Sequence, residues 1–249
     1  MAMYNANLAC GGSSVTIDDV VYEGDLKLKS VISDVAIGNV PSNISVFRIV
    51  LLDRDFYFLD TDNYKYFYKW DGTSWTDLGK LPMDFYNGSS VVLNGEIHIL
   101  GGNNTEYHYK WSGSSWTKLN DAPYSCYCGS AVTLNGEIHI LSGYESYNNR
   151  KHYKWNGTSW TSVSTLPYDG FRFGSAVVLS DEIHIMGGDN GNYTHYKWDG
   201  SSWIQLDNLP AILKDRRDAI VLDNAINIVG SSNSLKIFII NSKIYLMSS

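Results

Sequence analysis

The chain has 249 residues, 44% hydrophobic and 14% aromatic, with a formal net charge of −7 and no prominent Lys/Arg run. Sequence-independent nucleic-acid binding and docking on anionic lipid both need a basic surface, so no nucleic acid is expected among the partners. No stretch approaches the roughly 18 apolar residues of a membrane span, which argues against membrane insertion, and three cysteines cannot make a disulfide framework.

Met1–Cys10 carries neither a positive segment nor an apolar core of about 7–15 residues. Synthesis in the cytoplasm without a secretory signal is therefore expected, with incorporation into a particle left open. Within residues 1–45, Gly12–Tyr22 (G-S-S-V-T-I-D-D-V-V-Y) echoes Gly88–His98 (G-S-S-V-V-L-N-G-E-I-H), and Pro41 lies one repeat length ahead of Pro82. This segment reads either as a degenerate first unit or as an attachment arm.

From residue 46 to 249 the chain repeats, in units of about 46–82, 88–123, 129–167, 173–210 and 217–249. Each unit predicts four strands. The first is a short apolar run such as Ser89–Leu93, Ser130–Leu134, Ser175–Leu179 or Asp218–Leu222. A two-residue turn follows (Asn94-Gly95, Asn135-Gly136, Ser180-Asp181, Asp223-Asn224), and Asn-Gly between apolar runs is a strong hairpin signal. The second strand reads E-I-H-I in three units and ends in small residues such as Gly101-Gly102. The third and fourth strands flank a repeated phrase, Tyr68–Trp75, Tyr109–Trp116, Tyr153–Trp160 and Tyr196–Trp203, which contains all eight tryptophans. A residue type found only in register belongs to the scaffold.

The phrase recurs every 41 to 44 residues, inside the range of about 40–50 for propeller blades. A double glycine after the second strand, followed by Tyr and Trp with six residues between them, resembles the kelch repeat. The wording is similar to kelch-like repeats of AT-rich Gram-positive bacteria and their phages. The resemblance covers roughly residues 46–230. It implies an all-β fold: a kelch-type β-propeller of four-stranded antiparallel blades around a central channel. Counting the N-terminal segment as a blade gives six blades; counting it as an arm gives five. Leu235–Leu246 replaces the Trp phrase in the last unit, which leaves ring closure open.

Strand alternation puts the first and third turns of every unit at one end and the longer, more variable connections at the other. Binding residues concentrate on variable loops of rigid scaffolds. The long-loop face therefore supplies the candidate binding residues: Phe85, Tyr86, Tyr124, Tyr127, Tyr144, Tyr168, Phe171, Arg172, Arg216 and Arg217. Tyr and Arg dominate protein interfaces, and aromatic rings also stack on sugars.

Catalytic readings are weaker. The six histidines fall into two ranks of repeat copies, His98/His139/His184 and His108/His152/His195, whereas a general base needs one distinct environment. Ligand nitrogens must come within about 2.1 Å of a metal ion, closer than equivalent positions around a channel usually allow, so no metal and no cofactor are expected. Cys126-Tyr127-Cys128 has no partner Cys or His nearby in sequence. The sequence thus points to a non-enzymatic module that holds a protein or glycan partner, as a structural or adhesive component of a bacterial or phage particle. The alternatives are an intracellular adaptor and a carbohydrate-active enzyme.

Overall fold

The structure, a computed structural model, describes residues 5–9, 41, 46–61, 65–102, 105–143, 149–188, 193–209, 217–222, 225–230, 235–240 and 243–248. Side chains are described for 41, 48–61, 65–102, 105–143, 149–188, 193–209, 219, 221 and 226. Every regular element among the described residues is a β-strand.

Four antiparallel sheets follow one another along the chain. The first contains β1 (Asn5–Ala9), β2 (Val46–Leu52), β3 (Asp55–Asp60), β4 (Tyr66–Trp70) and β5 (Trp75–Lys80). The second contains β6 (Ser89–Leu93), β7 (Glu96–Leu100), β8 (His108–Trp111) and β9 (Trp116–Lys118). The third contains β10 (Ser130–Leu134), β11 (Glu137–Leu141), β12 (Lys151–Trp155) and β13 (Trp160–Thr165). The fourth contains β14 (Ser175–Leu179), β15 (Glu182–Met186), β16 (His195–Trp198) and β17 (Trp203–Gln205). Two hairpins complete the chain: β18 (Arg217–Leu222) with β19 (Ala225–Gly230), and β20 (Leu235–Ile240) with β21 (Lys243–Ser248).

Turn chemistry explains the strand boundaries. In Asn94-Gly95 (φ 51° and 77°), Asn135-Gly136 (50° and 74°) and Ser180-Asp181 (52° and 60°), both residues enter positive φ, as a two-residue hairpin requires. At the other hairpin, Trp70 pairs directly with Trp75, and the three later copies do the same. The Asp71 carboxylate accepts from Thr73 N at 2.8 Å, Thr73 Oγ1 at 2.7 Å and Ser74 N at 2.8 Å, which fixes the turn. Asn156 and Asp199 repeat this arrangement.

The prolines mark a second recurring bond. Leu81, Ala122, Leu166 and Leu209 each precede a repeated proline in sequence, and all four are buried. Each donates its N–H to a carbonyl just before the third strand of its own sheet: Lys65, Glu106, Arg150 and Tyr193, at 2.7–2.8 Å.

Alternation gives each sheet two different faces. Ile97, Ile99 and Trp111 of the second sheet pack with Val50, Leu59 and Phe67 of the first. Val91, Leu93 and Leu100, on the opposite face, pack with Ala131, Ile138, Ile140 and Trp155 of the third. The same exchange links the third sheet to the fourth through Val132, Leu134, Leu141, Ile183, Ile185 and Trp198. The core is therefore a series of layers between sheets, as in a β-propeller.

The first strands face a common axis. β2, β6, β10, β14 and β18 lie side by side in succession, and β1 lies against β18 and β20 while pairing with β2. The five first strands bound a cavity of about 30 Å³ lined by Arg48, Ser89, Ser130, Ser175 and Ala219 among others. Ser89 Oγ donates to Gly129 O at 3.0 Å and Ser130 Oγ to Gly174 O at 2.9 Å. A serine hydroxyl thus ties β6 to the start of β10, and another ties β10 to the start of β14.

β1 joins residues 5–9 of the N-terminal segment to the first sheet across the expected boundary at residue 45. The echo at Gly12–Tyr22, on which a sixth unit rests, lies outside the described residues. Arg217 opens β18, opposite Gly230, and is not a loop residue as expected.

Candidate functional site

The connections between sheets enter the first strands through one repeated turn. Phe85–Gly88, Cys126–Gly129 and Phe171–Gly174 are each closed by a bond from the glycine N–H to the first residue's carbonyl, at 3.0, 2.9 and 2.9 Å. The third residue of each turn, Asn87, Cys128 or Phe173, has φ of 52°, 58° or 60°, the positive value a type II turn needs.

The turns are joined to one another. Cys128 N donates to Asn87 O and Phe173 N donates to Cys128 O, both at 2.9 Å. A backbone ladder therefore runs around this end of the axis and fixes the spacing of successive turns. The second connections pack at the same end: a Cβ on Gly102 (φ 97°) would come within 2.8 Å of Asp84 O and 2.9 Å of Phe85 Cα. Only glycine fits there, which accounts for the second member of the double glycine.

This frame separates the candidate residues into those that face solvent and those that do not. Phe85, Tyr124 and Phe171 are each 0% exposed and belong to the layers between sheets. They are corrected from binding residues to core. Phe85, Cys126 and Phe171 start the turn and point into the protein, while the second turn position points out. Tyr168 is half-buried; it stacks on Tyr196 at 5.5 Å and donates its hydroxyl to Gly187 O at 2.8 Å. Tyr144 and Arg216 lie outside the described residues.

What the structure brings together is the second turn position. Tyr86, Tyr127 and Arg172 occupy it in successive turns. Tyr86 is 46% exposed, the highest value among the described large hydrophobic side chains. Its ring lies 6.0 Å from that of Tyr127, tilted by 39°. The Asn87 side chain hydrogen-bonds Tyr127, and the Arg172 guanidinium sits 5.2 Å from the Phe173 ring centroid. Two aromatic rings and a cation thus occupy the same position of three successive, backbone-linked turns.

The titratable groups are arranged differently. His98 Nδ1 lies 2.8 Å from His108 Nε2, His139 Nδ1 2.8 Å from His152 Nε2, and His184 Nδ1 2.9 Å from His195 Nε2. Burial holds His98, His139 and His184 down at about 4, and His108 and His152 at about 3. These are neutral pairs in which one imidazole donates and the other accepts. In the first sheet Tyr57 and Phe67 fill the two equivalent register positions, with rings stacked at 5.9 Å. The position therefore needs an aromatic ring and not an imidazole.

Sequence reasoning placed both histidine ranks in the scaffold and missed their pairing. The signal was available: His98 lies opposite Lys110, so His108, two residues away, projects on the same face. Burial pushes the Cys126 thiol up to about 12, which removes its nucleophilicity. Among the described residues, no three or more His, Cys, Asp or Glu side chains are grouped to hold a metal ion.

No family model matches the chain, and no curated protein matches it. Solved structures do resemble it. One, titled "Structure of YjhT", aligns with a TM-score of 0.61 over 71% of this chain and 69% of its own, at 16% identity. At that identity the likeness speaks for the fold alone: an all-β arrangement of repeated four-stranded sheets.

Proposed function

We propose that this protein is a kelch-type propeller that works without catalysis, holding a protein or glycan partner at the end of the channel formed by the inter-sheet turns. One observation carries the reading: Tyr86, Tyr127 and Arg172 stand side by side on turns locked together by backbone bonds. A surface fixed in this way binds without the cost of ordering its own loops. The opposite end offers short hairpins whose polar side chains are occupied by their own turns.

The reading extends to an assembly role, as a structural or adhesive component of a bacterial or phage particle. The repeat wording supports it, and so does the acidic chain, which disfavours nucleic acid. No helix among the described residues is long and apolar enough to cross a membrane.

The test is co-purification of the tagged chain from its native source, with wild type beside Tyr86→Ala/Arg172→Ala and Asp71→Ala/Asp199→Ala. The reading expects one partner, held by wild type and the hairpin variant and lost from the turn variant at an unchanged melting temperature. A partner lost only from the hairpin variant would reverse the assignment of faces. Tail or capsid genes beside its own would support the particle role.

A further inference from the structure

The exposed side chains of these turns also indicate what kind of partner they take. A standard protein interface buries about 800 Å² on each side around an apolar centre. The described turn end does not present such a patch. Phe85, Tyr124 and Phe171, which would have supplied it, are fully buried. Among the described residues, the inter-sheet turns present a strip of two rings, Tyr86 at 46% exposure and Tyr127 half-buried. Tyr107, 41% exposed at the same end, has the Lys118 ammonium 4.4 Å from its ring centroid.

A narrow strip of this kind suits a ligand with small apolar faces and many hydroxyls. The C–H faces of a pyranose ring stack on aromatic rings, and its hydroxyls both donate and accept hydrogen bonds. The turns carry groups that can answer them: the Asn87 amide beside Tyr127, the Asp84 carboxylate next to the Tyr86 N–H and, on the following turn, the Arg172 guanidinium. Neighbouring turns are one backbone hydrogen bond apart, which spaces their Cα atoms by about 5 Å, on the scale of one sugar ring. Stacking needs flat rings at a set spacing, and the ladder of turn-to-turn bonds fixes the backbone that carries them.

We propose that Tyr86 and Tyr127 form the stacking platform of a carbohydrate site that takes a chain of pyranose rings. This rests on the reading of the turn end as the binding face and narrows its partner to a glycan. Tyr86 and Tyr127 carry the stacking, and Asn87 and Arg172 select among hydroxyl patterns.

The test is a printed array of neutral and acidic oligosaccharides built from the common hexoses and N-acetylhexosamines, probed with the full chain. The expected result is retention of at least one series, weakened about tenfold or more by Tyr86→Ala, kept by Tyr86→Trp, with the melting temperature unchanged in both variants. Retention that ignores Tyr86→Ala overturns the platform. A blank array overturns the carbohydrate assignment. If a protein still crosslinks to position 86 in that case, the turn end remains the binding face; if nothing does, both readings fall.

Discussion

Phe67 meets Trp111 of the next sheet edge-on, with ring centroids 5.2 Å apart at 84°. His108 meets Trp155 at 5.2 Å and 83°, and His152 meets Trp198 at 5.4 Å and 88°. The second tryptophan of each pair closes the other side: Trp116 on Phe67, Trp160 on His108 and Trp203 on His152, at 5.2–5.6 Å. One ring from each of the first three sheets is thus clamped by the tryptophan pair of the next sheet. This contact is the physical content of the repeated phrase, and it couples the stability of neighbouring sheets.

The clamp predicts unequal costs for its two members. Trp111 is 6% exposed, and Trp111→Ala should cost about 3–5 kcal/mol. Trp116 is half-buried, and Trp116→Ala should cost less, about 1–3 kcal/mol, because part of its surface already meets water. Urea denaturation of both variants measures this. A loss below about 1 kcal/mol for Trp111→Ala, the scale of surface substitutions, would contradict the clamp.

The histidine pairs predict an acid-sensitive fold. In the unfolded chain each imidazole gains a proton as pH falls through its ordinary 6.5, whereas burial keeps the folded pairs neutral down to about 4 or 3. Between those values the unfolded state binds more protons, so stability declines as pH falls. The contribution is fully present above about pH 6.5 and is lost progressively as pH falls toward about 4 for His98 and His139 and about 3 for His108 and His152. Urea midpoints measured from pH 7.5 to 4 should drop steeply over that window. A level profile would mean that the imidazoles are hydrated in solution.

The first sheet supplies its own control. Tyr57 and Phe67 occupy the positions of His98 and His108, so His98→Tyr combined with His108→Phe copies a pair this fold already accommodates. The double variant should fold at pH 7 and lose less stability on acidification than wild type. Failure to fold at neutral pH, or an unchanged acid slope, would show that the imidazole pair does more than fill space.

The repeat made most of the fold readable. Asn-Gly turns, the Trp phrase and alternation placed the strands from β2 to β17, because each signal returns in register and the copies correct one another. β1 carries no such signal; five residues of N-A-N-L-A acquire meaning only by pairing with β2. The candidate face was readable as an end of the sheets but not side chain by side chain. Phe85 and Tyr86 are adjacent loop aromatics, and the turn sends one inward and the other outward. A cue existed: Phe85, Cys126 and Phe171 are apolar in every copy, as are Met83, Tyr124 and Tyr168 just after their prolines. Repeated apolar character marks the core in loops just as it does in strands. The varying neighbours Tyr86, Tyr127 and Arg172 were the better candidates.

The most direct test of the proposed binding face is a photo-crosslinking phenylalanine analogue placed singly at positions 86, 172, 73 and 158, irradiated in the native source. Residues 73 and 158 are exposed on hairpins at the far end from the turns. Binding through the turn end predicts crosslinks from 86 and 172 to a common partner and none from 73 or 158. Crosslinks from 73 and 158, with 86 and 172 silent, would contradict it and move the function to the opposite end of the propeller.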